Sequence, residues 1–310
     1  DVNIPLNRLV VITGVSGSGK STLIQDVLFN HLAKAKGHPE GAPGDCDGVD
    51  GAESISDVLM LDQSSIGRTS RSNPASYVGA LDPIRKLFAA APLAKERGYK
   101  PGHFSFNSGP GRCPTCAGSG FEHVEMQFLS DVYLRCPDCN GRRYTASLLE
   151  VQLEHIRTAE GAGASIADVL EMTVAEALAA FGNDADIQRV LAPLAEVGLD
   201  YLRLGQPVPT LSGGEAQRLK LAGHLSKSSR KRRGPGLLFL LDEPSTGLHF
   251  DDIATLLAAF RRLIDAGHSL LVIEHNLDLI RAADWLIDLG PEGGDGGGEL
   301  VCVGTPCDVA

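Results

Sequence analysis

The segment Gly14–Ser21 has the spacing of a phosphate-binding loop. It reads GVSGSGKS and fits the pattern G-x-x-x-x-G-K-[ST]. Its glycines allow backbone N–H groups to turn toward phosphate oxygens, and the following helix presents its positive N-terminus to the same oxygens. We expect Lys20 to reach the β- and γ-phosphates of ATP and the Ser21 hydroxyl to bind Mg²⁺. The predicted nucleotide-binding residues of this segment are Gly14, Ser16, Gly17, Ser18, Gly19, Lys20, Ser21 and Thr22.

A second chemical motif is a pair of acids, Asp242 and Glu243, that ends the segment LLFLLDE at 237–243. The unbroken apolar run predicts a strand of a parallel sheet that is covered on both faces. Phosphate-loop proteins place a carboxylate beside the metal at the carboxyl end of such a strand. We therefore expect Asp242 to hold Mg²⁺ and Glu243 to act as the general base toward the attacking water. Together the two motifs predict an ATPase.

Four of the seven cysteines form two CxxC pairs that are separated by 19 residues. This spacing is typical of a zinc site, in which each pair directs two thiolates at one tetrahedral centre. No open position for water is indicated, so the predicted Zn²⁺ is structural; two redox dithiols are the alternative. Residues 101–145 contain few apolar side chains, so metal binding would also supply local folding energy. The predicted ligands are Cys113, Cys116, Cys136 and Cys139.

Predicted strands and helices alternate at both ends of the chain, whereas the sequence between the two ends has a different pattern. Short apolar runs predict strands at 8–13, at VLMLD ending at Asp62, and at 269–275. The fold class that follows is α/β, with one core split by an insertion. The predicted ATP-binding core occupies 1–90 and 226–310. The predicted insertion occupies 91–225 and carries the zinc module at 110–145.

The segment LSGGE at 211–215 precedes a helical pattern, so its Ser-Gly-Gly turn forms a second anion cradle at a helix N-terminus. A single domain has no need of two cradles for one γ-phosphate. Two domains packed head to tail do need them, because each cradle then closes the nucleotide site of the other domain.

The order of the motifs resembles the ATP-binding cassette (ABC) ATPases. The resemblance implies a P-loop ABC-type core with an inserted helical signature domain. It implies that Gln63 senses Mg²⁺ and the attacking water, that residues 245–248 form the D-loop, and that His275 is the switch histidine at the γ-phosphate. The residues that would contact the γ-phosphate of an opposing cassette are Ser212, Gly213 and Gly214.

A cysteine module between the glutamine and the signature is unusual for transporter ATPases and resembles the UvrA family of bacterial nucleotide excision repair. Matching segments cover nearly the whole chain and include GVSGSGKSTL at 14–23, RGYKPGHFSFN at 97–107, LGQPVPTLSGGEAQRLKLA at 204–222 and DLGPEGGDGGG at 288–298. They are similar to the second, C-terminal cassette of that family. The resemblance implies an ATP-hydrolysing domain that recognises damaged double-stranded DNA, with a zinc module that contributes to DNA binding.

The family also implies partners. We expect a second ABC cassette, either in the other half of a longer protein or in a homodimer, and UvrB as the partner of the full-length protein. The chain begins at Asp1 rather than Met, and we expect it to be a piece of a longer protein.

The formal net charge of −11 opposes binding to nucleic acid, because duplex DNA repels an acidic protein at long range. Basic residues nevertheless cluster near the cysteines and in the run 226–236, which is either a solvated loop or an extra phosphate contact. The candidates for phosphate-backbone contacts, with an ordinary solvated surface as the alternative, are Lys100, His103, Arg112, Arg135, Arg142 and Arg143.

No apolar run approaches the roughly 20 residues of a membrane helix. Together with the scattered single cysteines, this predicts a cytoplasmic protein without a membrane partner. The alternatives are a UvrA-like paralogue that serves drug resistance, a non-hydrolysing zinc-dependent DNA-binding half, and a transporter ATPase subunit. Intact Lys20, Asp242 and Glu243 weigh against the second alternative, and the cysteine module weighs against the third.

Overall fold

The computed structural model describes residues 1–64, 71–124, 132–157, 161–226 and 234–309. The chain forms two compact units, which we call the core unit (Asp1–Ser64 with Lys227–Ala310) and the inserted unit (Ser65–Ser226). Residues 65–90, which the sequence analysis assigned to the ATP-binding core, therefore lie in the inserted unit. The cause is local packing, since Phe88 lies against Phe104 with 5.6 Å between the ring centroids.

The strands, in chain order, are β1 (Leu9–Gly14), β2 (Asp57–Leu61), β3 (Phe121–Val124), β4 (Val132–Arg135), β5 (Gln152–Arg157), β6 (Gly163–Ser165), β7 (Leu237–Asp242), β8 (Ser269–Ile273), β9 (Trp285–Gly290) and β10 (Glu299–Gly304). The helices are α1 (Asn30–Ala35), α2 (Pro74–Tyr77), α3 (Leu81–Ala90), α4 (Pro92–Glu96), α5 (Ala146–Leu149), α6 (Ile166–Glu171), α7 (Val174–Ala180), α8 (Ala185–Glu196), α9 (Gly213–Leu225), α10 (Phe250–Asp265), α11 (Leu277–Ala282) and α12 (Pro306–Val309). A π-helix (Thr22–Phe29) leads into α1.

The core unit is built on a sheet of order β10-β9-β1-β8-β7-β2. All neighbours pair in parallel except β10, which is antiparallel to β9. Side chains alternate between the two faces of a strand, and Val10 and Ile12 of β1 join one apolar cluster with Ile24 and Leu28 of the π-helix. Every residue from Leu9 to Ile12 is fully buried. The predicted α/β core with continuous apolar strands is confirmed.

The parallel strands determine where chemistry is possible. The carboxyl ends of β1, β2, β7, β8 and β9 meet at one edge of the sheet. The chain segments that leave this edge are the phosphate loop, the region around Gln63, the acidic pair, the segment around His275 and the glycine-rich segment 293–298. In an open α/β sheet this edge is where ligands bind.

The inserted unit consists mainly of helices, with two hairpins, β3–β4 and β5–β6. Its apolar centre includes Leu170, Leu191 and Leu219, all less than 5% exposed. Ser165, Thr173 and Ser212 begin α6, α7 and α9 through reciprocal capping boxes. Each box satisfies backbone donors at a helix start, so the helix boundaries are set by local sequence.

No helix among the described residues is long and apolar enough to cross a membrane. The predicted strands match β1, β2, β7 and β8 to within two residues. Strand β10 was not predicted from the sequence, because its side chains are mostly exposed and carry little apolar periodicity.

Candidate nucleotide site and cysteine cluster

The phosphate loop is a tight turn between β1 and the π-helix. Gly17 and Gly19 adopt φ values of 80° and 94°, which side-chain-bearing residues rarely take. At Gly14 the backbone passes so close to β9 that a side chain would not fit, because a Cβ there would lie 2.1 Å from the Leu289 carbonyl oxygen. The Lys20 side chain is mostly buried, and its Nζ donates to the carbonyl oxygens of Gly14 and Val15 at 2.8 Å each.

A cavity of about 520 Å³ opens at this edge of the core unit. It brings together most of the predicted nucleotide-binding and catalytic residues, although they come from four separate parts of the chain. Gly14 and Ser18 are not among the lining residues, because Gly14 ends β1 and Ser18 is fully buried. The lining consists of Ser16, Gly17, Gly19, Lys20, Ser21, Thr22, Gln63, Asp242, Glu243, Ile273 and His275.

Asp242 ends β7 in surroundings that are rich in negative charge. Burial and the neighbouring Glu243 carboxylate raise its pKa, and Asp62 and Glu274 act in the same direction, while Lys20 opposes them. The cost of ionising Asp242 here falls when a cation is close. The arrangement therefore favours a bound cation, and Mg²⁺ suits oxygen ligands of this kind.

Glu243 adopts a left-handed backbone conformation with φ at 47°, which is uncommon for a residue other than glycine. Its N–H donates to the Ile273 carbonyl oxygen at 3.0 Å, which fixes the turn to the end of β8. The Glu243 Oε1 lies 3.5 Å from the His275 Nε2. Backbone outliers concentrate at functional sites, and this one lies beside the cavity that Glu243 and His275 both line.

Glu274, which is only 1% exposed, was not predicted as a site residue from the sequence. Its Oε1 accepts a hydrogen bond from the Ser245 N–H at 2.8 Å, and its Oε2 accepts from the His275 and Asn276 N–H groups at 2.9 and 3.1 Å. One buried carboxylate thus joins the segment after β7 to the segment after β8. The signal was present in the sequence, since Glu274 follows an apolar strand as Asp242 does.

The signature residues lie in the inserted unit and do not line the cavity. Ser212 begins α9, and its N–H and hydroxyl donate to Glu215 Oε2 at 2.7 and 2.8 Å. The Tyr201 hydroxyl donates to the other carboxylate oxygen of Glu215 at 2.7 Å. Gly213 and Gly214 form the first turn of the helix, so their N–H groups belong to its positive end.

The four cysteines of the two CxxC pairs form a single cluster. Their Sγ atoms all lie within 4.8 Å of one another, which is compatible with a tetrahedral zinc site. The two halves are alike, because the two residues after each second cysteine adopt positive φ. These residues are Ala117, Gly118, Asn140 and Gly141.

Backbone groups around the cluster affect the thiols unequally. Burial opposes ionisation of Cys116, but hydrogen bonds from the N–H groups of Gly120 and Gly118 lower its pKa to about 7. Burial raises the pKa of Cys139 to about 12. A metal ion bound here would displace the remaining thiol protons, so its affinity would increase with pH.

Arg143 does not lie on the surface, contrary to the expectation that it contacts DNA. It is 2% exposed, donates to the Gly205 carbonyl oxygen at 2.9 Å, and lies over the Phe106 ring with 4.9 Å between its Cζ and the ring centroid. Arg142 forms an ion pair with Asp168 at 2.8 Å. Together with the exposed Arg135, Arg142 lines a second cavity of about 450 Å³ in the inserted unit.

The other basic candidates vary in how freely they reach solvent. The Lys100 and Arg112 side chains lie at exposed or partly exposed positions, and the His103 ring stacks on Tyr99 with 5.2 Å between the ring centroids. The basic residues of the run 226–236 all fall within 227–233, outside the described residues.

No protein-family model matches the chain. Over its whole length the chain is 54% identical to a part of the UvrABC system protein A of Thermus thermophilus and 53% identical to a part of the protein of the same name from Aquifex aeolicus. It spans 31% and 32% of the length of these relatives. A crystal structure of UvrA2 from Deinococcus radiodurans superposes with a TM-score of 0.84 at 47% identity, covering 99% of this chain and 36% of that one. The chain is thus homologous to about one third of a UvrA protein, and it has the P-loop ABC-type α/β core with an inserted unit that its motifs predict.

Proposed function

We propose that the chain is the second ATP-binding cassette of a UvrA-type protein and that it hydrolyses ATP in the recognition of damaged duplex DNA. The observation that carries the proposal is the convergence of the phosphate loop, Asp242, Glu243 and His275 on one cavity. Similarity over the whole chain to UvrABC system protein A supports the repair context.

The geometry supports a direct division of roles in hydrolysis. Lys20 and the loop N–H groups bind the β- and γ-phosphates, and the Ser21 hydroxyl and Asp242 hold Mg²⁺. The metal, when bound, neutralises charge on the phosphate oxygens. Glu243 accepts a proton from the attacking water, and the water oxygen bonds to the γ-phosphorus as the bond from that phosphorus to the bridging oxygen breaks, which gives ADP and inorganic phosphate. Gln63 orients the water, and His275 contacts the γ-phosphate.

The signature belongs to a composite site between cassettes. Ser212, Gly213 and Gly214 begin a helix of 13 residues whose positive end suits a phosphate. These three residues do not line the nucleotide cavity in the core unit of the same chain. We therefore assign them to the γ-phosphate that is bound by an opposing cassette.

The cysteine cluster holds a structural Zn²⁺ that shapes a DNA-contacting surface. The four Sγ atoms form a closed donor set, and Arg135 and Arg142 lie close to the cluster along the chain. Contacts from these cations to phosphates would read duplex shape and deformability rather than base sequence, which suits a sensor of varied lesions.

The test is the steady-state ATPase rate of the zinc-loaded protein, measured alone, with intact duplex DNA and with duplex DNA carrying a bulky lesion. We expect hydrolysis that changes with DNA and differs between the two duplexes. Measurable hydrolysis at the same rate in all three conditions would refute the role in damage recognition. Absence of hydrolysis with DNA still bound would favour the non-hydrolysing DNA-binding half.

A further inference from the structure

The segment 293–298, which reads GGDGGG and which we call the glycine segment, has no role in the chemistry above. It follows β9, the parallel neighbour of β1, so it starts at the same edge of the sheet as the phosphate loop. We propose that the glycine segment is a positioning element that fixes the peptide planes of the phosphate loop for nucleotide binding. The proposal rests on the ATP binding proposed above.

Two backbone hydrogen bonds join the two segments. The Gly294 N–H donates to the Gly17 carbonyl oxygen, and the Gly298 N–H donates to the Ser18 carbonyl oxygen, each at 3.1 Å. In a trans peptide unit the C=O and the following N–H point to opposite sides. Holding the Ser18 carbonyl toward the glycine segment therefore turns the Gly19 N–H away from it. Gly19 lines the nucleotide cavity, where a backbone donor is useful to a phosphate.

Close approach explains why two of these positions are glycine. Gly293 and Gly297 have φ values of −99° and −96°, which any residue adopts. A Cβ at Gly293 would nevertheless lie 2.5 Å from the Ser16 carbonyl oxygen. A Cβ at Gly297 would lie 2.8 Å from the Glu292 carbonyl oxygen and 3.1 Å from the Ser18 Cα. It is the phosphate loop, and not the local backbone conformation, that excludes a side chain at Gly293.

The same segment contains a matched control. A Cβ at Gly296 would meet only the Glu292 side chain, at 3.2 Å from Oε2, and that side chain can move. Gly296 is not among the glycines with positive φ. Gly296→Ala thus makes the same chemical change in the same short segment without pressing on the phosphate loop.

The experiment compares Gly293→Ala, Gly297→Ala and Gly296→Ala with the wild type and with Lys20→Ala. The measurements are the dissociation constant of a fluorescent ATP analogue, the KM and kcat for ATP, and the melting temperature without nucleotide. We expect Gly293→Ala to raise the dissociation constant and KM by about tenfold or more, because small displacements of a binding group are costly. Gly297→Ala should have a smaller effect in the same direction, and Gly296→Ala should stay within about twofold of the wild type.

The outcomes separate this inference from the proposed function. If the wild type and Lys20→Ala bind the ATP analogue equally, the nucleotide site itself is wrong. If Lys20→Ala loses binding but Gly293→Ala binds like the wild type, the positioning role alone is refuted. If Gly293→Ala does not fold, Gly297→Ala decides the question. Unfolding of both, with Gly296→Ala intact, would show that these glycines stabilise the core unit rather than orient the loop, which would also overturn the proposal.

Discussion

The nucleotide cavity and the cysteine cluster obtain their geometry in different ways. The cavity lies at the edge of a sheet whose first strand is fully buried from Leu9 to Ile12. In the cysteine cluster, the buried side chains are mainly the cysteines themselves. A site at the edge of a packed sheet takes its geometry from the fold, whereas a site without an apolar core must create local structure from its own ligands.

Removal of the metal should produce the largest difference between the two sites. Zinc contributes an apparent 10–16 kcal/mol or so to the folding of small zinc-binding peptides. We expect chelation, or Cys136→Ser at the fully buried cysteine, to release the zinc proposed for this cluster and to increase hydrogen exchange across residues 113–124 and 132–143. ATP-analogue binding should change by less than about twofold, because the two sites belong to different units and share no residues. Equal loss of zinc and nucleotide binding would show that the two sites share one folding unit.

Lys20→Ala tests the nucleotide cavity without altering the cysteine cluster. Removing the charged group that we propose to bind the transferred phosphoryl should lower kcat/KM for ATP about 100-fold or more. Zinc content, measured by atomic absorption, should not change. Lys34→Ala, at an exposed position of α1 in the same unit, is the matched control and should retain activity. Unchanged turnover in Lys20→Ala would refute the assignment of the phosphate loop.

Glu274→Gln tests whether a buried carboxylate of the core unit orients the segments that follow β7 and β8. Both carboxylate oxygens of Glu274 accept backbone hydrogen bonds, and an amide offers only one acceptor oxygen. The variant should lose about 2–3 kcal/mol of unfolding free energy, because a buried donor is left unpaired. Its kcat should fall more than its KM rises, because the segments that hold Glu243 and His275 loosen. Retention of wild-type denaturant stability would contradict this role.

Arg143→Lys sharpens the account of the cysteine cluster. Lysine keeps the charge but cannot reproduce the planar contact with Phe106 or the reach to Gly205. We expect the unfolding free energy of the inserted unit to fall by about 2 kcal/mol. The measurement is urea unfolding with hydrogen exchange as the local probe. Arg135→Lys, at an exposed position, should differ from the wild type by less than about 0.5 kcal/mol. Equal effects of the two variants would argue against a structural role for Arg143.

The smallest expected effect is a pH dependence at the periphery of the core unit. His38 Nε2 lies 2.6 Å from Asp57 Oδ1, and the hydrogen bond to Asp57 raises the pKa of His38 above 6.5. A raised histidine pKa stabilises the folded protein fully below pH 6.5, and this contribution disappears as pH rises through the folded-state pKa. The melting temperature of His38→Gln should thus be lower than that of the wild type at acidic pH and equal to it at alkaline pH. A difference that does not vary with pH would exclude this ion pair.

Apolar runs and motif spacing were sufficient to predict four of the six strands of the core sheet, the phosphate loop and the cysteine cluster. They could not predict the burial of Arg143, because Phe106 and Phe121, which surround it, are distant in sequence and their meeting depends on the tertiary fold. Residues 65–90 were assigned to the core unit but belong to the inserted unit. Helical periodicity shows that a helix has an apolar face, but it does not show which unit covers that face. Glu274 was predictable by the rule that found Asp242, since both follow apolar strands.

The strand order has a consequence for biosynthesis. Leu9 of β1 pairs with Leu270 of β8, and Val10 pairs with Trp285 of β9, so both hydrogen-bonding partners of the first strand are made near the end of the described chain. At about 5–20 residues per second, a ribosome needs roughly 10–50 s to reach them. During that interval one of the most apolar segments of the protein has an unpaired edge on each side. All of the inserted unit is translated before β7, so this unit can fold in the meantime. The nucleotide site is completed only after β8 and the segment that carries His275 have been made.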